Sequence, residues 1–94
     1  MSVSNRTGAP MPSALYSERY QRFRAFLIDR RKDAGLTQAI VAEKLSKPQS
    51  YVAKYERGER RLDVVEFMEV AEAIGFDAVE FLRMLDESGR PDRQ

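Results

Sequence analysis

At 94 residues, 33% charged and 43% hydrophobic, the chain has the length and balance of one small globular, soluble domain. Its formal charge is only +1, from 16 Lys and Arg against 15 Asp and Glu, which at face value argues against a strongly electrostatic partner such as nucleic acid or an anionic membrane. Cys and His are absent, which excludes disulfides, thiol nucleophiles, Cys/His zinc centres and every His-based catalytic arrangement.

No apolar run approaches the ~18–20 residues that span a bilayer. Residues 1–14 lack the apolar core of a signal peptide, so a cytoplasmic location is expected. The total charge hides a split. Residues 1–62 hold 13 Lys and Arg against 6 Asp and Glu, a net of +7. Residues 63–94 hold 3 against 9, a net of −6. Such asymmetry points to nucleic acid, a membrane or an acidic partner.

In chain order, residues 1–14 carry Gly8, Pro10, Pro12 and small polar residues without periodicity. They read as a flexible N-terminal arm with one positive charge, Arg6. A domain over residues 15–88 follows, and residues 89–94 form a tail. Ser17 is a good N-cap, and Tyr16, Tyr20, Phe23 and Leu27 make an amphipathic stripe that Phe26 and Ile28 widen. Tyr16, Tyr20, Phe23 and Phe26 read as core or dimer surface. This helix is predicted to end near Ala34, with Gly35 taking a positive φ.

Thr37 caps a second helix of about two turns, whose apolar face is Ile40, Val41, Ala42 and Leu45. Ser46-Lys47-Pro48 breaks it, and Pro48 fits the first turn of a third helix, where a missing N–H costs nothing. That helix buries Val52 and Tyr55 and stops at Gly58. Asp63 with Glu66 three residues on resembles a capping box. It opens a fourth helix with Val65, Phe67, Met68, Ala71 and Ile74 apolar, ended by Gly75. Asp77 caps a fifth helix carrying Val79, Phe81, Leu82 and Leu85. Glu66, Glu69, Glu72, Glu80, Asp86 and Glu87 are expected on the outer faces of these last two helices. The fold class is all-α, five short helices that need one another to cover their stripes.

A short helix, a tight turn and a second short helix are the geometry of a helix-turn-helix. The stretch GLTQ…VAEKL…PQSYVAKYERGERRLDVVEF resembles the XRE family, the Cro/cI-type helix-turn-helix of phage repressors and many bacterial regulators. The resemblance spans residues 20–83 and matches in several separate segments. It departs at Ser46, where many members have Gly, and at Pro48, where a Ser or Thr N-cap is usual. That second change is expected to pass capping of the third helix to Ser46 or to the Lys47 backbone. The resemblance implies a lambda-repressor-like DNA-binding domain, bacterial or phage-encoded, in which the third helix reads DNA.

An α-helix fits the major groove and reads base edges from its N-terminal part. With Val52, Tyr55 and Glu56 facing the core, Gln49, Ser50, Ala53 and Lys54 face outward as base contacts, with Arg57 beyond them. Gln pairs with adenine, Lys donates to guanine, and Ala touches a thymine methyl. Arg57, Arg60 and Arg61 flank Gly58 as phosphate anchors, and Lys47 borders the turn. Tyr51 either packs over that turn or lies against the DNA backbone. By resemblance, Gln38 grips a phosphate and braces the recognition helix. By resemblance too, Arg31 and Glu56 form a buried pair.

The resulting expectation is a sequence-specific transcriptional regulator, a repressor that binds a palindromic operator in double-stranded DNA as a homodimer. Its dimer interface would use Phe81, Leu82 and Leu85. Repression is the simplest output because 94 residues leave no room for an activation or ligand domain. The alternative is an antitoxin-type protein that binds a toxin partner and regulates its own operon. An enzyme would need a carboxylate pair or a Lys base in an apolar cleft, and no such grouping stands out. Neither a cofactor nor a metal is expected. Glu56→Ala would strand the buried Arg31 charge at a cost of about 3–5 kcal/mol. Its thermal melting midpoint should fall well below wild type, and an unchanged midpoint would refute the pairing.

Overall fold

The computed structural model describes residues 17–89. The N-terminal arm, Tyr16 and the tail beyond Gly89 lie outside the described residues. Five helices follow one another: α1 Glu18–Asp33, α2 Gln38–Leu45, α3 Gln49–Arg57, α4 Val64–Ile74 and α5 Ala78–Glu87. No strand occurs among the described residues, and no helix there is long and apolar enough to cross a membrane.

Local chemistry sets the helix ends. The Ser17 hydroxyl accepts from the Tyr20 N–H at 3.1 Å, and the Thr37 hydroxyl from Ile40 at 3.1 Å. Asp77 takes the N–H groups of Val79 and Glu80 at 2.9 and 3.0 Å. Each bond satisfies a donor that the first helical turn leaves free. At the end of α1, Gly35 donates to the Lys32 carbonyl and Leu36 to the Arg31 carbonyl. This paired return is the Schellman arrangement, with the left-handed residue at Gly35, φ 74°.

The same return closes α2, but a serine occupies the left-handed position. Ser46 has φ 58° and ψ 42°. Its N–H reaches the Glu43 carbonyl, and Lys47 reaches that of Ala42. A side chain at this φ crowds its own backbone, at about 1–2 kcal/mol. The two backbone hydrogen bonds of the turn, at 3.0 and 2.9 Å, hold the chain in it all the same. Pro48 differs from expectation. It is the N-cap of α3 and not its first helical residue, with φ −68° and ψ 156° and no side-chain cap. Its carbonyl accepts from Tyr51 at 3.0 Å. The ring fixes φ for this extended residue, so neither Ser46 nor Lys47 caps the helix.

Between the helices lies a core of Phe23, Leu27, Val41, Ala42, Val52, Tyr55, Phe67, Val70, Ala71, Ile74, Phe81 and Leu85. Phe81 is its aromatic centre. Phe23, Phe26, Phe67 and Phe76 stand 5.7, 5.8, 5.0 and 5.0 Å from its ring centroid. Phe81 and Leu85 are therefore buried within this chain, which departs from the expectation that they form a dimer surface. Of the three, only Leu82 is exposed, at 45%. On α4 the buried stripe is Phe67, Val70, Ala71 and Ile74. Val65 and Met68 fall outside that arc and are 64% and 54% exposed. On α2, Ile40 is also exposed.

The start of α4 carries a full capping box. Glu66 N–H donates to Asp63 at 2.7 Å, and Glu66 Oε1 accepts the Asp63 N–H at 3.0 Å. The same carboxylate receives Arg60 Nη2 and Nη1 at 2.8 and 3.2 Å. Glu66 thus turns toward the connector and does not line the outer acidic face as expected, whereas Glu69, Glu72, Glu80, Asp86 and Glu87 are exposed.

Two measurements test these local features. Ser46→Gly relieves the left-handed strain, partly offset by the freer unfolded chain. It should raise stability by up to about 1 kcal/mol, and a lowered midpoint would contradict the strain. Arg60 and the Asp63 N–H hold Glu66 near pKa 2, against an ordinary 4.5. A depressed carboxylate stabilises the fold above its ordinary pKa and loses that contribution as pH falls through its folded value. Glu66→Gln should be less stable than wild type at pH 7, and the gap should close between pH 4.5 and about 2. A gap independent of pH would refute the assignment.

Candidate nucleic-acid interface

α2 and α3 pack against each other across the Ser46 turn, and α1 and α4 back them. On α3, Val52, Tyr55 and Glu56 are buried. Gln49, Ser50, Lys54 and Arg57 are exposed and Ala53 is half-buried. These five recur along one side of the helix at spacings of one and three residues, so they form a single outward stripe. The side chains named for base contact are therefore brought together.

What holds the stripe in place is a carboxylate. Glu56 is only 5% exposed. Arg31 Nε donates to its Oε2 at 2.7 Å and Arg31 Nη2 to its Oε1 at 3.1 Å. Gln38 Nε2 adds a third bond, at 2.8 Å to Oε1. Arg31 Nη1 also donates to the Leu36 carbonyl at 3.0 Å. The bonds to Glu56 raise the Arg31 pKa above its ordinary value, against the opposing effect of burial. One buried charge therefore joins α1, the loop before α2, α2 itself and α3. Gln49 Nε2 extends the chain to Gln38 Oε1 at 3.4 Å, a long contact at the edge of hydrogen-bonding range. Gln38 thus braces α3 through Glu56, and its amide stands at the first residue of α2.

Sequence reasoning missed Arg24. Its Nε donates to the Glu56 carbonyl at 3.0 Å. Its side chain also crosses Gly58, where a Cβ would meet Nε at 3.0 Å and Cδ at 3.2 Å. Gly58 therefore serves two needs, a positive φ of 83° and the close approach of this guanidinium. No periodicity signals a residue that acts 32 positions away along the chain.

The cations around Gly58 divide into three environments. Arg57 donates to Glu59 at 2.9 and 3.1 Å in an exposed fork. Arg60 is bound to Glu66, and its Cζ lies 4.6 Å from the Tyr51 ring centroid. Lys47 Nζ approaches the same ring at 5.2 Å. Arg61 stands apart, over the Tyr20 ring of α1 at 5.0 Å, in a groove with Leu62 and Leu82. Tyr51 packs edge-on against Tyr55 at 5.8 Å. Burial, then the Glu66 charge, push its phenol above the ordinary value, so the ring is neutral and receives two cations. The carboxylate partners Glu59 and Glu66 were not foreseen. In the sequence Glu66 reads as a cap and as part of the outer acidic face, and a pairing six residues away across a loop leaves no helical spacing to read.

No group of three or more Asp or Glu among the described residues is arranged to hold a metal ion. Comparison with known proteins agrees with the geometry. The helix-turn-helix family model matches residues 27–81. The HTH-type transcriptional regulator y4dJ of Sinorhizobium fredii is 36% identical over 58 residues, covering 62% of this chain and 75% of that protein. An XRE-family like protein from Pseudomonas syringae pv. tomato superposes with a TM-score of 0.74 at 42% identity, over 79% of this chain and 90% of its own. The restriction-modification controller protein C.Esp1396I, solved as a tetramer with its natural 35 base-pair operator, shares the fold. Its TM-score is 0.68 at 22% identity, covering 76% of this chain and 93% of that one. The family-model match along residues 27–81, with an XRE-family like protein at 42% identity, places this chain in the helix-turn-helix family as a DNA-binding transcriptional regulator of the XRE type.

Proposed function

We propose that the protein is a repressor that binds a near-palindromic operator as a homodimer, each α3 entering one of two major grooves about one helical turn apart. One observation carries this reading: the outward stripe of α3 holds Gln49, Ser50, Ala53 and Lys54 together while the opposite face is locked by Glu56. Gln49 and Ser50 lie in the first turn, the part that meets base edges. Gln38, Lys47, Arg57 and Arg60 contact phosphate around them. Arg61, turned onto Tyr20, is left out of that set.

The dimer reading draws support from α5. With Phe81 and Leu85 interior, the exposed apolar pair one turn apart is Val79 and Leu82, at 73% and 45%. A second copy covering that pair would remove it from water. The solved C.Esp1396I complex supports the same mode, an oligomer of this fold on its operator. The absence of any membrane-crossing helix among the described residues accords with a cytoplasmic site of action.

Selection from a random DNA pool should return a two-fold symmetric sequence, and an unsymmetric or absent consensus would contradict the dimer on a palindrome. On that selected duplex, Lys54→Ala should cost about 1–3 kcal/mol and relax the preference at one base pair of each half-site. Arg60→Ala should weaken all sequences alike and reduce the salt dependence by about one phosphate. Unchanged binding in both variants would remove α3 and its connector from the interface.

A further inference from the structure

Arg60, one of the proposed phosphate contacts, already has an anion. Its two terminal nitrogens are spent on the Glu66 carboxylate at 2.8 and 3.2 Å, and Nη1 also donates to the Arg61 carbonyl at 3.1 Å. A guanidinium fork offers phosphate the same parallel donors that it offers a carboxylate. Nη1 is fully engaged and Nη2 half engaged, so a phosphate can take this end-on fork only by displacing the carboxylate. The Arg60 side chain is 38% exposed and Glu66 25%, so the fork lies where solvent, and hence DNA, can reach one side of it.

We propose that Glu66 is an affinity-setting residue, an internal competitor that holds Arg60 in the free protein and is displaced from it by a DNA phosphate. This rests on Arg60 being a phosphate contact. Glu66 does not swing away when Arg60 leaves. Its Oε1 remains bound to the Asp63 N–H at 3.0 Å, and it sits in the first turn of α4, where the helix dipole favours a negative charge. A fixed carboxylate is therefore left beside the incoming phosphate. The free protein starts with Arg60 neutralised, and any phosphate that takes its end-on fork, in a specific site or not, must break that pair. The exposed Arg57–Glu59 fork repeats the arrangement in a weaker form.

Glu66→Gln separates this role from capping. Glutamine keeps the side-chain oxygen that accepts the Asp63 N–H, so the capping box survives while the charge is lost. Variants whose melts show a folded state at assay temperature are titrated onto a fluorescein-labelled random-sequence duplex of about 30 base pairs, three helical turns. Anisotropy is read between about 50 and 200 mM salt. Glu66→Gln should bind about two- to fivefold more tightly than wild type, with a log–log salt slope steeper by about 0.9. Glu69→Gln, which removes the same charge from an exposed site on α4, should do less. In an Arg60→Ala background the gain should vanish.

Three results would overturn the competitor. Glu66→Gln could bind no better than wild type while Arg60→Ala binds worse, which leaves the phosphate contact standing and removes only the competition. The gain could persist without Arg60, which makes it a general charge effect. Arg60→Ala alone could leave binding unchanged, which removes the phosphate contact and the competitor with it.

Discussion

The structure depends on the buried carboxylate of Glu56. An ionised group taken out of water costs several kcal/mol unless hydrogen bonds replace its hydration. Here Arg31 supplies two donors and Gln38 a third, all within 3.1 Å. Because those donors belong to α1 and α2 while the acceptor belongs to α3, the bonds that satisfy the charge tie the three helices to one another. Buried ion pairs often add little net stability over apolar packing of equal volume. What this pair supplies is orientation: it fixes the rotation of α3 about its own axis, and thereby which of its side chains face outward. Arg24 extends the constraint to the end of the helix through the Glu56 carbonyl and the close passage over Gly58.

That orientation turns a neutral molecule into a directional one. The formal charge of +1 conceals a basic segment, residues 1–62, and an acidic one, residues 63–94. The structure adds a finer layer. Two of the cations at and after the end of α3, Arg57 and Arg60, are already partnered by carboxylates. Positive charge beside α3 is present but held, and Lys54 in the middle of α3 is exposed on the same outward stripe as Gln49 and Ser50. Long-range attraction to arbitrary DNA is thereby reduced, while contacts made at close range remain available to a site that presents its phosphates in register.

Much of this was legible in the sequence because it is local. Ser17, Thr37, Asp63 and Asp77 cap the helices that their spacing predicts, since a cap needs only the three residues after it. The left-handed Gly35, Gly58 and Gly75 end helices for the same reason. The rest depends on contacts distant along the chain. Phe81 reads as surface on its own helix and becomes interior only because Phe23, Phe67 and Phe76 converge on it. Val65 and Met68 read as core and are displaced from it by the arc that Val70 and Ile74 occupy. Arg31 and Glu56, 25 positions apart, are joined by resemblance to the XRE family and by no periodicity. Arg60 and Glu66 lie across a loop, where spacing carries no information about contact. Ser46 keeps a glycine's conformation without being glycine, so resemblance marks the position while the residue itself does not signal the left-handed backbone.

The direct test of α3 as the DNA-reading element is an amide NMR titration of isotope-labelled protein with the duplex selected from a random pool. The largest shift changes should fall on Gln49, Ser50, Ala53 and Lys54, with smaller ones at Gln38 and from Arg57 to Arg60. Changes concentrated instead on the outer faces of α4 and α5, with α3 unmoved, would contradict the assignment.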